Sequence, residues 1–178
     1  MKIVIVGAGA VGTHLSKLLS REHQDCVLID ADEERLAKMS DYDVMTYCAS
    51  PTSIKALKEA GVQNADLFVG VTPEESTNIN ACILAHALGA KKTVARIDNY
   101  EYLAPGLQQF FKNLGLDSLI YPEVLAAIDI NNGLKMSWVR QRWDVHDGAL
   151  ILLGIKLREQ AEILNQPLTQ LILREKST

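Results

Sequence analysis

The sequence predicts an α/β protein built on a doubly wound parallel sheet of six strands, and three observations predict it. The first is the run Lys2-Ile3-Val4-Ile5-Val6, which reads as a strand buried on both faces, as in a parallel sheet. The second is the alternation that follows, in which short β-prone runs are separated by segments with apolar residues at helical spacing. The third is Gly7-Ala8-Gly9-Ala10-Val11-Gly12 at the first strand-to-helix turn, with Asp30 closing the next strand.

The elements follow in order. Val11, Leu15, Leu18 and Leu19 define an amphipathic helix after the glycine turn, and Cys26-Val27-Leu28-Ile29 is the second strand. Glu33-Glu34-Arg35-Leu36 begins a short helix, and Asp43 to Cys48 is the third strand. Thr52 to Ala60 is helical and stops at Gly61, a natural C-terminal cap. Leu67 to Val71 is the fourth strand, and Glu74 to Leu88 is a helix ending at Gly89. Thr93 to Ile97 and Ser118 to Tyr121 are the fifth and sixth strands. Between them a Pro105-Gly106 break precedes a helix starting at Phe110-Phe111. Pro122 to Ile130 is a helix apolar over much of its circumference, which predicts burial against a partner subunit. Met136 to Val145 and Ala149 to Leu157 are strand-like, joined through Asp147-Gly148 as a hairpin, and Trp138 and Trp143 should pack in a core or interface. The division expected is a Rossmann-like domain over 1–121, an interface helix and linker strand over 122–146, and the beginning of a second small α+β domain over 147–178.

The glycine turn fixes a ligand class. Gly7 permits the tight turn, Gly9 lets a pyrophosphate approach the backbone, and Gly12 lets helix and strand pack closely. Ala8, Ala10 and Val11 complete the loop, whose helix N-terminus offers N–H groups to phosphate. Asp30 stands eighteen positions after Gly12, where a carboxylate takes both hydroxyls of an adenosine ribose. Its charge should repel a 2′-phosphate, so NAD or another adenosine nucleotide is favoured over NADP. Thr72 reads as an N-cap with Pro73 at the first helical position, and Thr72 and Asn78 lie where capping alone or capping with ligand contact are both open. Arg96, at the end of the fifth strand, meets either a phosphate or an acid such as Glu123.

Composition narrows the class further. A net charge of −4 argues against a nucleic-acid binder held by a basic surface. No apolar run approaches the length needed to cross a bilayer, and the first strand begins too early for a signal peptide. Cys26, Cys48 and Cys82 fit small core residues of a reduced protein. His14, His23, His86 and His146 lack metal-ligand spacing, and His14 reads as a helix-surface residue. No Tyr-x-x-x-Lys relay and no Ser-His-Asp order is present. The chain shows a nucleotide site without catalytic machinery.

Taken together, Val6 to Gly12, Ile29-Asp30, Leu57-Lys58-Glu59-Ala60-Gly61, Ala65-Asp66-Leu67, Val71-Thr72, Thr77-Asn78, Leu88-Gly89, Ala95-Arg96 and Tyr121-Pro122-Glu123 resemble the Trk potassium-uptake regulatory subunit (TrkA family) and its RCK, or KTN, domain. The resemblance covers about residues 1–135, and Leu164-Asn165-Gln166-Pro167-Leu168 resembles the start of the family's C-terminal domain. It implies a non-enzymatic regulatory subunit that binds NAD(H), with ATP or ADP as alternatives, and gates a membrane potassium transporter or channel of the Trk type. It also implies dimers through Pro122 to Ile130 assembling to a ring, and a cytoplasmic location at the inner face of the plasma membrane without insertion. Alternatives are an NAD-dependent oxidoreductase whose catalytic domain lies elsewhere, or the regulatory tail of a cation antiporter. The family often carries Gly-Asp near the adenosine, where this chain has Ala49-Ser50. Where ATP-responsive relatives tend to place arginine, this chain has Ala10, which favours NAD(H).

Overall fold

The computed structural model describes residues 1–135, 139–146, 149–161, 164, 166 and 167. Contacts divide the chain into two units, Met1–Leu125 and Ala126–Thr178. In the first, six strands form one parallel sheet in the order β3-β2-β1-β4-β5-β6. They are β1 (Lys2–Val6), β2 (Asp25–Asp30), β3 (Met45–Cys48), β4 (Leu67–Gly70), β5 (Thr93–Arg96) and β6 (Ser118–Ile120). Helices α1 (Ala10–Arg21), α2 (Glu33–Ala37), α3 (Ile54–Glu59), α4 (Glu75–Leu88) and α5 (Pro105–Asn113) connect them. This is the doubly wound order, with its reversal between β1 and β4, where ligands of such sheets bind.

The continuous apolar runs are explained by burial on both faces. Val4 and Val6 point into one cluster with Phe68, Leu57 and Cys82, whereas Ile3 and Ile5 point into another with Leu28, Leu36 and Met39. Alternate residues of one strand therefore serve opposite faces of the sheet. Gly61 and Gly89 end α3 and α4 in the left-handed region, as expected of C-terminal caps.

The edge away from the strands' C-terminal ends is tied by Asp66. Its carboxylate accepts the Lys2 N–H at 2.9 Å and the Lys91 ammonium at 2.7 Å. Both bonds favour the ionised form, and the Lys91 bond is foremost in holding this carboxyl below its ordinary 3.8.

Two local expectations are corrected. Pro105 does not break a helix; it opens α5, five residues before the expected start, because its missing N–H is harmless there. Cys48 is exposed on the edge strand β3, while Cys26 and Cys82 are buried as expected. An edge strand covers its end residues on one side only.

In the second unit, β7 (Val139–Val145) and β8 (Leu150–Ile155) pair antiparallel, as expected, while Asp147 and Gly148 lie outside the described residues. Trp138 also lies outside them. Trp143 is 50% exposed, so the described residues do not enclose it. Helix α6 (Pro122–Lys135) runs across the division and leaves Leu125, Ile128, Ile130 and Leu134 exposed. Of the run at 164–168, Asn165 and Leu168 are outside the described residues.

The Asp66 tie has a pH signature. Its lowered carboxyl contributes stability that is present above pH 3.8 and lost as pH falls below that value. Asp66→Asn should therefore lower Tm at pH 7, with the gap from the natural protein closing under acid. Thermal melts at pH 7 and pH 3 check this.

Candidate nucleotide site

The site begins with β1 and its exit. Gly7 has φ +106°, and a Cβ there would lie 2.7 Å from the Thr72 N, so the turn needs glycine. At Gly12 a Cβ would run into the Gly7 carbonyl oxygen, so α1 comes this close to β1 only without a side chain. Gly9 differs: nothing lies within 4 Å of where its Cβ would be. The loop thus leaves open space directly over the N-terminus of α1. That terminus has no side-chain cap and no acid in its first turn, so its N–H groups face the space unspent.

Asp30 ends β2 beside this loop. One carboxylate oxygen accepts the Ala8 N–H at 2.5 Å, and the other accepts the Asp32 N–H at 2.9 Å. Arg35 adds a guanidinium at 4.0 Å. Ala49 reaches the same place, since its N–H donates to the Asp30 carbonyl at 2.9 Å. Ser50 follows, exposed, with its hydroxyl 3.2 Å from that of Thr52. An adenosine dinucleotide fits this arrangement: a glycine cradle for pyrophosphate, a helix N-terminus behind it, and a carboxylate with unused lone pairs for ribose.

Thr72 and Asn78 form a clamp on the other side. The Asn78 amide oxygen accepts the Thr72 N–H and hydroxyl, each at 2.8 Å. Its NH₂ donates to the carbonyls of Thr72 and Arg96, each at 3.0 Å. Asn78 is buried and its hydrogen-bonding capacity is filled by the chain itself. Thr72 is not the N-cap that the sequence predicts. Helix α4 starts later, with Glu74 at the cap, because Asn78 takes Thr72 into the turn between strand and helix. Glu75 instead caps the loop after β5, accepting the N–H groups of Asp98 and Asn99.

Arg96 pairs with Asp98 at 2.9 Å, two residues away, and not with Glu123. Its Nε is buried without a hydrogen-bond partner. The structure thus brings Gly7 to Gly12, Asp30, Ala49 and Thr72 around the end of β1, with Arg96 two strands away.

Sequence reasoning missed one group of residues. A groove of about 610 Å³ is lined by Ala8, Gly9 and Ala10 together with Thr13, His14, Lys17, Arg35, Lys38 and Pro73. A readable signal was present in part: Thr13 and Lys17 are one turn apart on α1, and Asp32 is an N-cap, accepting from the Glu34 and Arg35 N–H groups. Among the described residues, no group of three or more His, Cys, Asp or Glu could hold a metal. No described helix is long and apolar enough to cross a membrane.

The family model of the TrkA-N domain matches residues 3–122. The chain belongs to the TrkA-N family. A Trk system potassium uptake protein TrkA homolog of Methanothermobacter thermautotrophicus is 37% identical over 128 residues, covering 71% of this chain and 57% of that protein. The chain spans between 29% and 57% of the length of the first curated relatives it matches. Among solved structures, the TrkA-N domain of inner membrane protein ybaL from Escherichia coli superposes with a TM-score of 0.65 at 16% identity, covering 75% of this chain and 96% of that one. The GsuK channel bound to NAD superposes with a TM-score of 0.56 at 15% identity, over 67% of this chain and 21% of that one. These structural likenesses establish the fold, and the TrkA-N match agrees with the order of strands and the glycine turn described above.

Two outcomes test the site's architecture. Asn78→Leu should destabilise this TrkA-N domain by about 2–4 kcal/mol in urea titration, because it orphans buried groups on Thr72 and Arg96. Thiol labelling at pH 8 should modify Cys48 alone in the folded protein and all three cysteines after unfolding. Cys26 and Cys82 are buried away from reagent, and burial raises the thiol of Cys26 and pushes that of Cys82 up to about 12.

Proposed function

We propose that this protein is a cytoplasmic regulatory subunit of a Trk-type potassium uptake transporter or channel, and that it binds NAD(H) or a related adenosine nucleotide to gate ion flux. One observation carries the reading: the open space over Gly9, bounded by the uncapped α1 and by Asp30, in a chain of the TrkA-N family. The roles follow from position. The backbone of Gly7 to Gly12, with Ala8, Ala10 and Val11, holds pyrophosphate, and Asp30 takes the ribose hydroxyls. Ala49 and Ser50 border the base, Thr72 closes the loop with Asn78 behind it, and Arg96 serves the far end of the crevice. Small, neutral Ala10 supports NAD(H) over ATP, with ATP and ADP as competing ligands.

A regulatory role also suits the chemistry present. Binding is supplied, whereas no proton relay adjoins the glycine loop in the sequence. The exposed apolar residues of α6, Leu125, Ile128, Ile130 and Leu134, support pairing of two copies through that helix and assembly into a ring. The nucleotide then acts by its difference in affinity for two states of the ring, which is the only way a ligand shifts such an equilibrium. The subunit would sit at the inner face of the membrane through its transporter.

Isothermal titration with NADH, NAD⁺, ATP and ADP tests the reading. NADH should bind with micromolar or tighter affinity and more tightly than ATP. Asp30→Asn, which keeps an acceptor but removes the charge, should weaken NADH ten- to hundredfold, as loss of about 1.5–3 kcal/mol predicts. Failure of all four nucleotides to bind would sink the proposal. Turnover of NADH with carbonyl acceptors would replace it by an oxidoreductase.

A further inference from the structure

Two successive carbonyls of the glycine loop are held by one residue, Thr13. Its hydroxyl donates to the Ala8 carbonyl at 3.0 Å, and its N–H donates to the Gly9 carbonyl at 3.0 Å. The second bond is the ordinary first turn of α1. The first is not, because a helical threonine usually turns its hydroxyl to a carbonyl three or four residues back. Here the hydroxyl reaches five residues back, past the start of the helix and into the loop.

The Ala8 carbonyl needs this donor. Ala8 is 4% exposed, so its polar groups must be satisfied within the protein. Among the described residues no backbone N–H is bonded to that carbonyl. The Ala8 N–H is already taken by Asp30. Ala8 is therefore gripped from two sides, by a carboxylate on its N–H and by a hydroxyl on its carbonyl.

The grip has a direction. In a trans peptide the C=O and the N–H that follows it point opposite ways. Turning the Ala8 and Gly9 carbonyls toward Thr13 therefore turns the N–H groups of Gly9 and Ala10 away from it, out of the end of α1 that has no side-chain cap. Among the described residues neither N–H has an acceptor. Nothing stands within 4 Å of the Cβ position of Gly9, so the approach to them is open.

We infer that Thr13 is a positioning residue of the nucleotide site, whose hydroxyl holds the Ala8–Gly9 peptide so that the Gly9 and Ala10 N–H groups face a pyrophosphate. This rests on the nucleotide reading of the crevice and adds to it a side chain that the glycine spacing does not reveal. Valine has the shape of threonine and no donor. With it the Ala8 carbonyl loses its partner, the peptide is free to turn over, and a pyrophosphate has to order it on binding.

Calorimetry and displacement of NADH on the whole chain, natural and as Thr13→Val and Thr13→Ser, test this with ADP, NADH and adenosine. Thr13→Val should weaken ADP and NADH about tenfold while changing adenosine, which carries no phosphate, by less than about twofold. Thr13→Ser keeps the hydroxyl and should stay within about twofold of the natural protein for all three. The titrations are run well below the Tm of each variant, so that lost stability does not enter. Unchanged ADP affinity in Thr13→Val overturns the inference. So does an equal loss for ADP and adenosine, which marks a loosened fold, or a failure of Thr13→Ser to restore binding. If the natural chain binds none of the three, the reading of the crevice falls and this inference with it.

Discussion

The approach of α1 to the end of β1 is the constraint from which the site follows. Without a side chain at Gly12, the helix settles against the Gly7 carbonyl, and Gly7 takes a positive φ so that the chain turns at once from strand to helix. Because the turn is so short, the Ala8 N–H arrives beside the end of β2 and donates to Asp30. The same shortness leaves Gly9 over open space and the first N–H groups of α1 unspent. Enlarging Gly12 would undo these together, since one contact sets the position of all.

Residues around the crevice fall into those committed to the fold and those left open to a ligand. Asn78 belongs wholly to the first group: its four hydrogen bonds join the loop after β4 to the end of β5. Asp30 belongs to both, holding the glycine loop while keeping lone pairs unused. Lys38 lines the groove beside the loop and makes no ion pair among the described residues. A clamp filled by the chain's own groups holds the crevice in shape. A ligand entering such a crevice transmits only the difference between its contacts in two states.

The parallel sheet was legible because strands buried on both faces must be apolar throughout, and the turns carry glycine where φ is positive. All six strands and the caps at Gly61 and Gly89 can be read in this way. Local chemistry misled where a distant partner intervened. Thr72-Pro73 has the composition of a helix start, but Asn78, six residues on, claims Thr72 and delays the helix. Arg96 had several acids within reach along the chain, and only the turn after β5 selected Asp98. Cys48 has the apolar neighbours of a core residue and stands exposed because its strand is the sheet's edge.

By itself the sequence determined the fold class and the position of the glycine turn, because strand burial, helix periodicity and left-handed turns are imposed by residues close together in the chain. Only the tertiary structure decided which hydrogen-bonding groups remain available. It spent Asn78 internally, turned the Asp30 carboxylate toward the loop, and brought Lys17 of α1 together with Arg35 and Lys38 in one groove. The reason is that satisfaction of a polar group and convergence of charge depend on distances across the sheet, which spacing along the chain does not encode.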